Sequence, residues 1–132
     1  MPPSPFAPRV LLVMGEQWPR ALLRAALREA GYDAAGTRTL GGALRLAEPA
    51  LGRGATGLII LAQDAYTDAD RPDLERLRSA TQAPFLLIAP AGRQVEGGPW
   101  VEVARRPVSI GELVRTVEKL MPLPPDARHP ID

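Results

Sequence analysis

Short apolar runs and stretches of helical spacing alternate along this 132-residue chain. The run VLLVM, from Val10 to Met14, is short and rich in apolar residues, which predicts a buried strand. Gly15 opens a turn and Pro19 suits the first turn of a helix. Leu22, Leu23, Ala26, Leu27 and Ala30 then recur at helical spacing until Gly31 stops the pattern. Tyr32 to Ala35 predicts a weak second strand. Leu40, Ala43, Leu44 and Ala47 form a second helical face in spite of Gly41 and Gly42, and Pro49 ends it. The strongest strand signal is Leu58 to Ala62, followed by a polar loop, AQDAYTDADR. Pro72 opens a third helix through Leu74, Leu77 and Arg78. Pro84 precedes FLLIA, a fourth strand. The segment PAGRQVEGGP holds too much glycine and proline for a helix beyond a single turn. Val101 to Ala104 is a short fifth strand. Ser109 and Glu112 form the S-x-x-E pattern of a capping box and open a final helix to about Met121.

Strands alternating with helices predict an α/β domain with a parallel sheet. The strands are continuously apolar rather than alternating, so both faces of the sheet are covered. Five such strands predict a flavodoxin-like, doubly wound sheet in the order 2-1-3-4-5. The helix between the fourth and fifth strands is expected to be shortened or missing. Residues 1–8 read as a disordered lead, 9–121 as the folded domain, and 122–132 as a proline-rich tail or the stub of a linker.

Composition narrows the chemistry. Sixteen basic residues against fifteen acidic leave a net charge of +1, so nothing in the balance supports nucleic-acid binding. There is no cysteine, which removes disulfides and zinc-thiolate sites and fits a reducing, cytoplasmic setting. The lone histidine, His129, sits in the tail, where it reads as neither ligand nor base. No stretch approaches the roughly 20 apolar residues of a membrane span, and MPPSPFAPR lacks the apolar core of a signal peptide. No G-x-G-x-x-G follows a strand, no P-loop is present, and no Ser-His or Cys-His pairing is available. A small-molecule substrate, a cofactor and an enzymatic activity are therefore not expected.

In folds of this type, ligands bind beyond the carboxyl ends of the strands. Those ends carry Met14, Gly15 and Glu16, then Ala62, Gln63 and Asp64, then Ala89 and Pro90, then Arg105, Arg106 and Pro107. RVLLVMGE, EAGYDA and ARRPVSIGELVRTVEKLM, taken with their joint spacing, resemble the receiver domain of two-component response regulators from Arg9 to about Met121. The third piece is the most specific, because it resembles the end of strand 5, the Lys-Pro pair and the last helix.

The resemblance implies a set of site positions, and this chain departs at most of them. The acidic pair that helps bind Mg²⁺ falls on Met14 and Gly15, and the phosphate-accepting aspartate on Ala62. The hydroxyl residue ending strand 4 falls on Ala89, the lysine on Arg106, and the aromatic switch residue on Val103. Phosphoryl transfer to a protein carboxylate needs that nucleophile and a neutralising metal and cation. Mg²⁺ wants hard oxygen ligands, and Met14, Gly15 and Ala62 provide no side-chain oxygen. The expectation is a degenerate member, a pseudo-receiver that binds no metal.

The remaining residues each carry two readings. Asp64 is a displaced phosphoacceptor, with Asp68 and Asp70 as further loop acids, or a solvated loop carboxylate. Glu16 holds a cation weakly, or is a surface acid or a partner of Arg106. Arg106 binds an acidic ligand, or pairs with Glu16 or Asp64, and the pairing is preferred because a half-buried cation needs a partner. Pro107 is expected, by resemblance, to follow a cis bond. Trp18, Tyr66 and Trp100 are contact residues or partial cover of the core. Glu112, Arg115, Glu118 and Lys119, with Trp100 and Val103, form a candidate interface, or the four charges make a solvated helix face with i,i+3 and i,i+4 pairs.

The functional expectation is a phosphorylation-independent, receiver-like signalling module that works in the bacterial cytoplasm through a protein partner or as a homodimer. The alternative is a divergent phospho-receiver using Asp64 in a two-component phosphorelay.

Overall fold

Five strands and four helices follow one another as expected in a computed structural model that describes residues 7–48 and 55–123. The lead up to residue 6, and the tail with His129, lie outside the described residues. The elements are β1 (Arg9–Val13), α1 (Gln17–Ala30), β2 (Asp33–Thr37), α2 (Leu40–Ala47), β3 (Thr56–Ala62), α3 (Arg71–Thr81), β4 (Phe85–Ala89), β5 (Trp100–Arg105) and α4 (Ile110–Leu120). Two 3₁₀ turns, Gln63–Ala65 and Asp68–Asp70, fill the loop after β3. The sheet is parallel throughout, in the order β2-β1-β3-β4-β5. No helix forms between β4 and β5.

The side-chain period of two divides each inner strand between two cores. Val10, Leu12, Leu58, Ile60, Leu86 and Ile88 point to the face where Leu23 and Leu27 of α1 and Leu113 and Val117 of α4 pack. Leu11, Val13, Ile59, Leu61, Phe85 and Leu87 point to the other face, against Leu40 and Ala43 of α2 and Leu74 and Leu77 of α3. Burial on both faces explains why these strands read as unbroken apolar runs.

Local chemistry places the helix ends. Gly31 closes α1 with φ 114°, a left-handed conformation in which a Cβ would be strained. Thr39 caps α2, its Oγ1 accepting from the Gly42 N–H at 3.0 Å. Gly42 lies against Thr37, where a Cβ would run into the threonine side chain, so the glycine that weakens the helix lets it sit on the sheet. Ser109 caps α4 by accepting from the Glu112 N–H at 3.0 Å. Ser109→Ala is expected to lower stability by about 1 kcal/mol, read as a shift in the urea midpoint at unchanged slope.

β1 begins one residue earlier than the apolar run, at Arg9. A charged residue enters the buried strand because it is paired: its Nη1 donates to Asp33 Oδ2 at 3.0 Å and its Nη2 to the Leu46 carbonyl at 2.9 Å. The packed chain extends beyond the elements at both ends. Pro8 accepts from the Asp33 N–H at 2.9 Å, and the Tyr32 hydroxyl donates to the Met121 carbonyl at 2.7 Å.

Candidate functional site

The strand register brings the carboxyl ends of β1, β3 and β4 side by side, with Val13 opposite Leu61 and Ala62 opposite Ile88. Met14, the residue after β1, is 2% exposed and packs in the same apolar cluster as Ala62 and Ile88. Ala62 is 1% exposed and Ala89 is fully buried. The three central positions of the site are therefore carbon and one thioether, closed to water. Gly15 and Glu16 are exposed, and a Cβ built on Gly15 meets nothing within 4 Å.

The carbonyl of Met14 accepts a hydrogen bond from Arg20 Nη1 at 2.7 Å. A guanidinium of the chain itself thus lies at the end of β1. Its stem passes over Gly36, where a Cβ would come within 3.0 Å of Arg20 Cγ. The sequence reading missed Arg20. The only signal for it is a basic residue in the first turn of a helix that starts just after a strand end, together with a glycine in the neighbouring strand.

Asp64 is exposed in the first 3₁₀ turn, two residues beyond the buried Ala62. Asp70 is committed to the second turn, its Oδ2 accepting from the Thr67 N–H at 2.8 Å and from Thr67 Oγ1 at 3.1 Å. Asp68 lies 4.0 Å from Arg71, with both side chains in solvent. No three His, Cys, Asp or Glu side chains cluster to hold a metal ion among the described residues. A Mg²⁺ ion does not fit this donor set: the carboxylates of Glu16 and Asp64 are exposed, the Gln63 amide oxygen is buried, and Met14, Ala62 and Ala89 offer no side-chain oxygen.

The preferred pairing of Arg106 is not made. Its guanidinium forms no ion pair with Glu16, Asp64 or any other acid among the described residues, and the residue is half-buried. Its backbone N–H donates to the Ala89 carbonyl at 2.8 Å, holding the end of β5 to β4, and the Arg106-Pro107 bond is cis.

The aromatic residues divide. Tyr66 and Trp100 pack edge-on with ring centroids 6.3 Å apart, and Trp100 meets Phe85 at 6.4 Å, so both cover the second core. Trp18 is 75% exposed and covers no core. Val103 is half-buried against the same second core. On α4, Glu112, Arg115 and Glu118 are exposed and form no i,i+3 or i,i+4 ion pairs among the described residues. Lys119 reaches across to Glu102 of β5 at 2.9 Å rather than along its own helix.

No family model and no curated protein matches the chain. Solved structures do. A response regulator from Thermotoga maritima superposes with a TM-score of 0.65 at 15% identity, over 87% of this chain and 98% of that one. A CheY-like response regulator receiver domain from Methylobacillus flagellatus gives 0.66 at 12% identity, over 86% and 98%. An orphan response regulator of H. pylori gives 0.66 at 17% identity, over 90% and 98%. With its parallel 2-1-3-4-5 sheet and paired helices on each face, the chain has the fold of response regulator receiver domains.

Proposed function

We propose that the chain is a receiver-like signalling module that works without phosphorylation, through contact with a protein partner or a second copy of itself, in the cytoplasm. The observation that carries this reading is the burial of Met14, Ala62 and Ala89 at 2%, 1% and 0% exposure. A phosphoryl acceptor must be reached by its donor and neutralised by a metal and a cation. Here the central position has neither nucleophile nor water access, and its neighbours pack as hydrophobic core. The guanidinium of Arg20 on the Met14 carbonyl supports the same reading, because the strand end carries a fixed positive group belonging to the chain. The exposed side of β5, with Val101 at 57% exposure beside the Glu102–Lys119 pair, is where a partner would be met.

An amide NMR titration with Mg²⁺ and beryllofluoride, which mimics a phosphorylated aspartate, tests the proposal. The expected result is a flat response at residues 14 to 16, 62 to 64, 89 and 106. Saturable shifts centred on Asp64 would overturn it and make the exposed loop acid a working acceptor.

A further inference from the structure

Helix α1 turns a bulky apolar surface to solvent. Trp18, Leu22 and Val101 are the large apolar side chains left exposed among the described residues, and the first two lie one turn apart on α1, at 75% and 56% exposure. Trp18, Leu22, Ala26 and Ala30 form a single i, i+4 row along the helix. The row is bulky in its N-terminal half and small in its C-terminal half. Where it is small, it borders an open groove of about 380 Å³ between α1 and α4, with Ala26 and Ala30 on one wall and Ile110 and Val114 on the other. Glu29, Arg115 and Glu118 rim this groove, and no ion pair among the described residues engages them.

Such a row fits a second copy of itself. In an antiparallel two-fold with its axis between Leu22 and Ala26, each Trp18 falls over the other copy's Ala30 and each Leu22 over the other copy's Ala26. Bulk then meets groove twice, which is the isologous contact of a C2 dimer. Interdigitating i, i+4 ridges are also the commonest way for two helices to cross. The polar groups complement one another. The Trp18 indole N–H has no partner among the described residues, and the groove it would enter carries the Glu29 and Glu118 carboxylates as acceptors and the Arg115 guanidinium as a cation for the ring face. The area suffices for a weak dimer. Trp18 and Leu22 together offer on the order of 250 Å² of apolar surface. Counted on both copies, with the groove walls they cover, the contact removes roughly 1,000 Å² from water, the lower limit of a specific interface.

We infer that two copies of this chain associate through α1, each placing Trp18 and Leu22 in the α1–α4 groove of the other. This names the partner in the proposed function and rests on that reading for its independence of phosphorylation. The side of β5 that carries Val101 stays free for a different protein.

Sedimentation velocity of the full chain, without Mg²⁺ or a phosphodonor, tests the inference. The expected result is a monomer–dimer equilibrium with a dissociation constant on the order of 10–100 µM. Trp18→Ala and Leu22→Lys, both at exposed positions outside the core, should each weaken it at least about tenfold. Val101→Glu on β5 should leave it unchanged. The chain has no cysteine, so a single Ala25→Cys, beside the two-fold axis, should be joined to its counterpart by a short bismaleimide, and an exposed Ser79→Cys on α3 should not. A chain that stays monomeric at about 1 mM would overturn the inference and leave the phosphorylation-independent reading standing. A dimer dissociated by Val101→Glu and not by Trp18→Ala would overturn it in favour of the β5 side. A dimer formed only with Mg²⁺ and beryllofluoride would overturn both.

Discussion

Replacing Ala62 by aspartate is expected to cost about 3 kcal/mol of stability and to create no phosphorylation site. The substitution puts a carboxyl where the resemblance to receiver domains would place the acceptor, yet the position is 1% exposed and lies in a cluster with Met14, Leu12, Ile60 and Ile88. An unpartnered polar group buried in protein costs about 1–3 kcal/mol, and the added bulk in a packed core costs a further 1–3 kcal/mol or so. The new carboxyl would hold its proton rather than ionise, because burial disfavours the charged form. In thermal unfolding the loss should appear as a fall on the order of 10 °C. Gly15→Asp is the matched control. It places an acid one residue beyond Met14 in open solvent and should leave stability within about 0.5 kcal/mol of the parent. An Ala62→Asp protein that keeps its melting temperature and takes phosphate from acetyl phosphate with Mg²⁺ would mean that the strand ends are an intact site lacking only its acceptor.

Arg9→Met should cost about 3–5 kcal/mol, the usual consequence of removing one partner from a buried ion pair. The Arg9 and Asp33 side chains are 8% and 5% exposed, and the guanidinium spans both Asp33 and the Leu46 carbonyl at the end of α2. Without it, Asp33 keeps a carboxylate in a buried setting after losing this cation. Adding Asp33→Asn to Arg9→Met should cost little more than Arg9→Met alone, because the two groups interact directly and are lost as a pair. Chemical denaturation of the two variants decides the matter. A cost below about 1 kcal/mol for Arg9→Met would place the pair among ordinary surface salt bridges.

The two substitutions probe regions that differed in legibility. At the strand ends, the residue types alone carried the chemistry: the side chains of Met14, Gly15, Ala62 and Ala89 supply no carboxylate nucleophile, hydroxyl or hard oxygen in any conformation. The surroundings of those positions were not legible. Arg106 does not pair with either acid the sequence suggested: Asp64 sits on a 3₁₀ turn in solvent and Glu16 is exposed at the head of α1. Lys119, read either as part of an interface or as pairing along its own helix, pairs with Glu102 of the edge strand β5, seventeen residues away, at 2.9 Å.

The alternation of strands and helices, the cap at Ser109 and the missing helix before β5 were set by local sequence. Each follows from a period of two or 3.6, a capping side chain, or a glycine- and proline-rich segment, all of which act over a few neighbouring residues. Tertiary structure decided the rest: the burial of Arg9 beside a residue 24 positions away, the tie of Tyr32 to Met121 across 89, the guanidinium of Arg20 over the end of β1, and the groove between α1 and α4. A charged residue becomes a core residue only when a distant partner satisfies it, and a groove exists only between segments that folding brings together. Periodicity in the chain records neither.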